Sequence, residues 1–285
     1  MTYSQADITV PYAVANFAEI RHKGYYYVDK TNYIPLLERY KAPVFLRPRR
    51  FGKSLLVSML AHYYDRNMAT QFKDLFGGTW IGEHPTNEHN QYLVVRYDFS
   101  TTSVASKKED IEKNFNAVNC SPLRTLVERN RDLFGDFRFR EDGNASNMLV
   151  EVCEFISSHN LPPLYILIDE YDNFTNQLLV VYKDSLYQDL TTGESFLRTF
   201  FKVIKAGIGE GTIRTCFCTG VLPVTMDDLT SGYNIAEMLT LKPEFTNLLG
   251  FTHEEAAQYL KYVINKYGPQ ASFEELWTLI LNNYD

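Results

Sequence analysis

The chain has 285 residues, of which 45% are apolar, and a formal net charge of −7. That length suits one large α/β domain with an appendage, and the acidic balance excludes a protein that coats nucleic acid with a generally basic surface, though not one with a local basic patch. The four cysteines form no C-x-x-C pair, which argues against a zinc site.

Cys153 falls in a helical pattern and Cys216 and Cys218 in a strand pattern, which fits buried, reduced thiols and a cytoplasmic setting. Met1 to Val10 lacks the basic stretch and apolar core of a secretory leader. No apolar run approaches the ~20 residues of a membrane span, so no membrane partner is expected. The 20 tyrosines and 19 phenylalanines read as core.

In chain order, residues 1–42 form a segment expected to pack on the core that follows. Tyr25 to Thr31 runs as a strand or turn into a helix expected over Asn32 to Tyr40. Tyr27, Asp29 and Lys30 are candidate contacts to a nucleotide base, with packing and helix capping as the alternative. Next comes a short apolar run, Pro43 to Leu46, then Arg47-Pro48-Arg49-Arg50-Phe51-Gly52-Lys53-Ser54, then a helical pattern from Lys53 to about Asn67. Strand, tight loop, Gly-Lys-Ser and helix is the context of a phosphate-binding loop.

The chemistry follows from the helix start, whose first N–H groups are unpaired and carry partial positive charge. Phosphate oxygens can occupy that position. Gly52 lets the backbone approach without a Cβ, Lys53 reaches the β- and γ-phosphates, and the Ser54 hydroxyl ligates Mg²⁺. Arg50, Phe51 and Leu55 complete the candidate nucleotide-binding set. Arg47 stands where the general pattern has its first glycine. Arg49 and Arg50 add charge that could meet phosphate, a neighbouring subunit, nucleic acid or solvent.

A second strand is expected over Tyr92 to Phe99, with Asp98 near its carboxyl end facing either a magnesium site or a turn. Helices broken around Gly135 to Asn147 fill 106–160. Leu164 to Ile168 then reads as a fully buried parallel strand ending in Asp169 and Glu170. Ligands bind at that end of such sheets. Asp169 would hold Mg²⁺ and Glu170 would polarise the water that attacks the γ-phosphate.

A polar insert, Thr175 to Gly193, precedes a helix at 195–207 and a strand ending in Thr219. That residue either senses the γ-phosphate or caps the next turn. Val224 to Gly232 reads as helix and turn, and Glu237 to Leu241 as a last strand. Thr252-His253-Glu254-Glu255 is a capping box opening a helix to about Lys266, and a final helix runs from Ser272 to about Asn282. Strands alternating with helices predict an α/β fold of the P-loop NTPase kind, a parallel sheet with helices on both faces followed by a small helical lid. The expected division is 1–42, a core at 43–250 and the start of the lid at 251–285.

These segments, together with Val28-Asp29-Lys30-Thr31, Thr219-Gly220-Val221, Ser231-Gly232-Tyr233-Asn234 and Leu249-Gly250-Phe251-Thr252, resemble the AAA-ATPase-like family of bacterial proteins over nearly the whole chain. R-P-R-R-F-G-K-[ST] is that family's own form of the loop. The resemblance implies phosphate and Mg²⁺ binding by Gly52, Lys53 and Ser54, metal binding by Asp169 and water activation by Glu170. It also implies adenine over guanine. Members are often fused to a PD-(D/E)XK nuclease-like domain. By that resemblance the chain, ending at Asp285, is expected to stop just inside the lid, with the nuclease-like partner domain absent from it. Asp172 stands where a nuclease site would need lysine.

The leading expectation is therefore a module that binds Mg-ATP and hydrolyses it to drive a conformational switch in an attached or partner domain. The alternative is a non-hydrolysing module that binds nucleotide or nucleic acid, and a phosphotransferase is more remote. Arg198 and Arg214 are candidates for an arginine finger.

Overall fold

The computed structural model describes residues 9–102, 108–141, 143–173, 196–222, 233–268 and 270–283. Its centre is a five-stranded sheet of β1 (Pro43–Leu46), β2 (Leu93–Asp98), β3 (Leu164–Asp169), β4 (Ile213–Gly220) and β5 (Glu237–Met238), in the order β2-β3-β4-β1-β5. Every pairing is parallel. β1 and β3 are buried along their whole length, which is why both read as unbroken apolar runs.

The helices are α1 (Phe17–His22), α2 (Ile34–Leu37), α3 (Lys53–Tyr64), α4 (Phe72–Phe76), α5 (Trp80–Glu83), α6 (Lys108–Arg129), α7 (Arg131–Phe134), α8 (Ala145–His159), α9 (Phe196–Glu210), α10 (His253–Tyr267) and α11 (Phe273–Asn283). α3 packs Leu56, Val57 and Leu60 against Phe45, Val94, Tyr165, Leu167 and Phe217 on one face of the sheet. The other face carries Val44, Val95, Ile166, Ile168, Cys216 and Cys218 beneath α6, α8 and α9. The expected two-faced parallel architecture is present. All four cysteines are buried and free, and no helix among the described residues is long and apolar enough to cross a membrane.

Some boundaries differ from expectation. The helix expected over Asn32 to Tyr40 is a 3₁₀ turn, Thr31–Tyr33, followed by α2, which ends at Leu37. α3 stops at Tyr64, short of Asn67, because Asp65 is extended and its side chain caps the 3₁₀ turn that follows. Thr252 and Glu255 form the capping box of α10 as expected. The expected insert at Thr175 to Gly193, the segment Val224 to Gly232 and Ser231 lie outside the described residues.

α10 is tied to the N-terminal segment rather than to the sheet. Lys30 Nζ donates to both Glu255 oxygens at 2.6 and 2.7 Å, and Tyr26 packs against Tyr259 and Tyr262 with ring centroids 5.0 Å away. Burial pushes the Glu255 carboxyl up, but Lys30 and the Thr252 N–H together hold it below the usual carboxylate range.

Candidate functional site

The carboxyl end of β1 delivers the chain into the loop. Gly52 is the N-cap of α3 at φ 91°, ψ 16°, a left-handed conformation that glycine adopts without steric cost. No side chain caps this helix start, so its leading N–H groups, those of Lys53, Ser54 and Leu55, face outward before the first helical bond, Leu56 N to Gly52 O.

Lys53 is 4% exposed, and its ammonium donates to the carbonyls of Arg47 and Pro48 at 3.0 and 3.1 Å. The loop thus wraps the ammonium with its own backbone, which satisfies a buried charge.

The Arg47 side chain takes no part in that pocket. Its guanidinium lies 4.6 Å from the Phe45 ring centroid and donates to the carbonyls of Leu46, Thr240 and Thr246. The arginine that replaces the first glycine therefore leaves through the side of the loop and ties it to the chain after β5. Phe51 is 40% exposed. Its carbonyl accepts from Gly250 N, and a Cβ on Gly250 would press on its ring. Phe51 thus faces residues 249–250, and Arg50 is exposed at φ 69°.

The acids arrive from the neighbouring strands. Side chains alternate along a strand. Asp98 therefore shares the α3 face with Val94, and Asp169 shares it with Leu167. The two are direct partners in the β2–β3 register. The Ser54 hydroxyl lies close enough to Asp169 to favour its charged form. Burial pushes the Asp169 carboxyl up, the Ser54 hydroxyl opposes the rise, and Asp98 adds to it. Asp98 itself also caps the turn after β2, accepting from Ser100 N.

Glu170 sits at φ 51°, a left-handed backbone that costs a non-glycine residue about 1–2 kcal/mol. Burial raises its pKa, the charges of Lys53 and Arg49 lower it, and Asp169 and Asp172 raise it further. Thr219 shares the α3 face with Phe217 and pairs with Phe45 of β1. It is 1% exposed, and its hydroxyl has no hydrogen-bond partner among the described residues. Among the described residues, the capping bond expected as the alternative is not made.

Lys53, Ser54, Asp169 and Glu170 converge, with Thr219 one strand away from both groups. Arg214 does not join them: it lies near the start of β4, at the opposite end of the sheet, and pairs with Glu88. Arg198 lies in the first turn of α9.

Asp29 does the capping job considered for it, accepting from Thr31 N and from Trp80 N. Tyr27 packs edge-on against Phe17. Asp29 and Lys30 also line a cavity of about 370 Å³ with Tyr33, Trp80, Asn247 and Thr252. Asn247 and Thr252 flank Leu249 and Gly250, which touch Gly52 and Phe51.

Asp172, which the sequence marks only as standing where a nuclease site would need lysine, has a structural task. Asp172 is 1% exposed and accepts from the N–H groups of Val221 and Leu222, while Tyr171 Oη donates to the Leu222 carbonyl. Together they clasp the turn after Thr219 to the end of β3. The only hint in sequence is an acid three residues beyond Asp169.

The site's donor set, a hydroxyl near a carboxylate beside an uncapped helix start, suits a hard oxygen-seeking cation such as Mg²⁺. Ser54 and Asp169 would hold it.

The chain is similar, at 26% identity over 255 residues, to an uncharacterized protein in the vnfD 5′ region of Azotobacter chroococcum mcd 1. The match covers 86% of this chain and 43% of that relative, so the chain spans less than half the relative's length. A family profile described as a predicted AAA-ATPase matches residues 11–230, which carry the loop, the acid pair and Thr219. The chain belongs to the AAA-ATPase-like family.

Proposed function

We propose that this chain is a P-loop ATPase module that binds Mg-ATP and hydrolyses it to switch an attached or partner domain. The observation that carries the reading is the buried, unpartnered Thr219 hydroxyl beside a helix start with free N–H groups and a Ser54–Asp169 pair. A buried polar group without a partner is costly, and a phosphate oxygen would supply one.

On this reading Lys53 exchanges two loop carbonyls for β- and γ-phosphate oxygens, and the N–H groups of α3 take the rest. The nucleoside extends toward the cavity at Asp29 and Asn247. Bound at Ser54 and Asp169, Mg²⁺ would supply charge stabilisation at the phosphate oxygens. Water attacks the γ-phosphorus, the bond to the ADP oxygen breaks, and Glu170 accepts the water proton. Burial raises its pKa, which makes it a stronger proton acceptor than an exposed carboxylate.

The switch has a short route. The loop touches Gly250 through Phe51, and Thr252 two residues on caps α10. We assign 43–250 as the ATPase core, 1–42 as a segment packing on it and 251–285 as the start of a lid.

Phosphate release from Mg-ATP, measured for the wild type beside Glu170→Gln, tests the reading. Release by the wild type, with binding but little release in the variant, supports it. Binding without release in both would favour a nucleotide-sensing module, and equal release in both would remove Glu170 from the mechanism.

A further inference from the structure

The loop carries four cations, and the structure accounts for two of them. Arg47 is spent on the carbonyls of Leu46, Thr240 and Thr246. Lys53 is buried inside the loop. Arg50 and Arg49 are both exposed and make no hydrogen bond or ion pair among the described residues.

Arg49 is the one on the inner rim. It follows Pro48, whose carbonyl holds the Lys53 ammonium at 3.1 Å, and its charge is felt at Glu170. Arg50 has no comparable influence on either acid at the end of β3.

The local charge balance says why a second cation is wanted here. Asp98, Asp169, Glu170 and Asp172 all lie at the ends of β2 and β3, and Asp98, Asp169 and Asp172 each act on another acid of the set. Asp172 is satisfied by two N–H groups. A triphosphate would bring further negative charge against the remaining acids. Lys53 and a bound Mg²⁺, even with the partial charge of a helix start, would not offset the three remaining acids and a triphosphate, so its terminal phosphate would still lie beside like charges.

Resting on the nucleotide reading above, we propose that Arg49 is the residue that reads the γ-phosphate. Its guanidinium contacts the terminal phosphate of a nucleoside triphosphate and finds nothing to hold on a diphosphate. A planar fork with several donors suits that task better than an ammonium. Its position on the loop itself makes the reader part of the same chain as the site.

Calorimetric titration with Mg-ADP and with a non-hydrolysable Mg-ATP analogue, on the wild type, Arg49→Ala and Arg49→Lys, tests this. For Arg49→Ala the expected result is a loss of about tenfold or more for the triphosphate analogue, the scale of one charge-assisted contact, with ADP affinity essentially unchanged. Arg49→Lys should recover part of the loss, since charge remains without the fork. An equal loss on ADP and the analogue, or no loss on either, overturns the assignment. A wild type that binds neither ligand sinks the nucleotide reading itself, whereas normal wild-type binding with an indifferent Arg49→Ala sinks only the role of Arg49.

Discussion

The two ends of the sheet are built on opposite principles. At the amino end, the charged side chains are matched. Arg214 donates to both Glu88 oxygens and Tyr92 Oη to one of them. Glu38 accepts from Tyr64 Oη and Thr86 Oγ1. Tyr64 stacks on Tyr165 at 4.0 Å. Burial, with the Glu88 bond behind it, pushes the Tyr92 phenol up to about 12, so it stays a neutral donor.

At the carboxyl end the same sheet carries two acids with raised pKa values, a hydroxyl with no partner and a left-handed glutamate. One end pairs its charges within the chain; on the proposed reading, a ligand would complete the other. The contrast separates what stabilises this fold from what the fold is for.

Substitutions should split along that line. The largest effect is expected for Glu170→Gln, which should lower phosphate release by about 10²–10⁴, the range for a general base, while nucleotide affinity stays near the wild-type value in an equilibrium titration. Lys53→Ala should weaken Mg-ATP binding by about a hundredfold, or about 3 kcal/mol, with both loop carbonyls losing their donor.

Glu88→Ala, at the other end, should leave nucleotide affinity unchanged. It should lower the unfolding free energy by about 1–3 kcal/mol in a urea titration, because Arg214 and Tyr92 lose their acceptor in a half-buried setting. Loss of nucleotide binding in that variant would break the contrast.

The smallest effect is a gain. Asp169→Asn should raise the melting temperature of the ligand-free protein at neutral pH. Burial raises the folded-state pKa of Asp169 above its unfolded value, so its ionisation opposes folding. The advantage of the variant should be complete above the folded pKa and should vanish as pH falls below the unfolded one. A variant less stable than wild type at neutral pH would contradict this.

Much of the site was legible because its signals are local. Gly52-Lys53-Ser54 after a four-residue apolar strand, and Asp169-Glu170 at the end of another, announce themselves within a few residues. The capping box at Thr252 does the same. What sequence could not show depends on pairs far apart in the chain. The insertion of β4 between β1 and β3, which sets Thr219 beside the loop strand, is a topological fact. So are the clasp of Asp172 on residues 221–222, the Lys30–Glu255 pair and the direction taken by the Arg47 side chain.

Arg214 shows the converse. Its charge made it a candidate, and only the register reveals that it belongs to the opposite end.

The most direct test of the central claim is titration of the purified protein with a fluorescent ATP analogue, with and without Mg²⁺, beside Lys53→Ala. The account predicts Mg²⁺-dependent binding by the wild type that is lost in the variant. Binding that ignores both Mg²⁺ and Lys53, or no binding by the wild type, would contradict it.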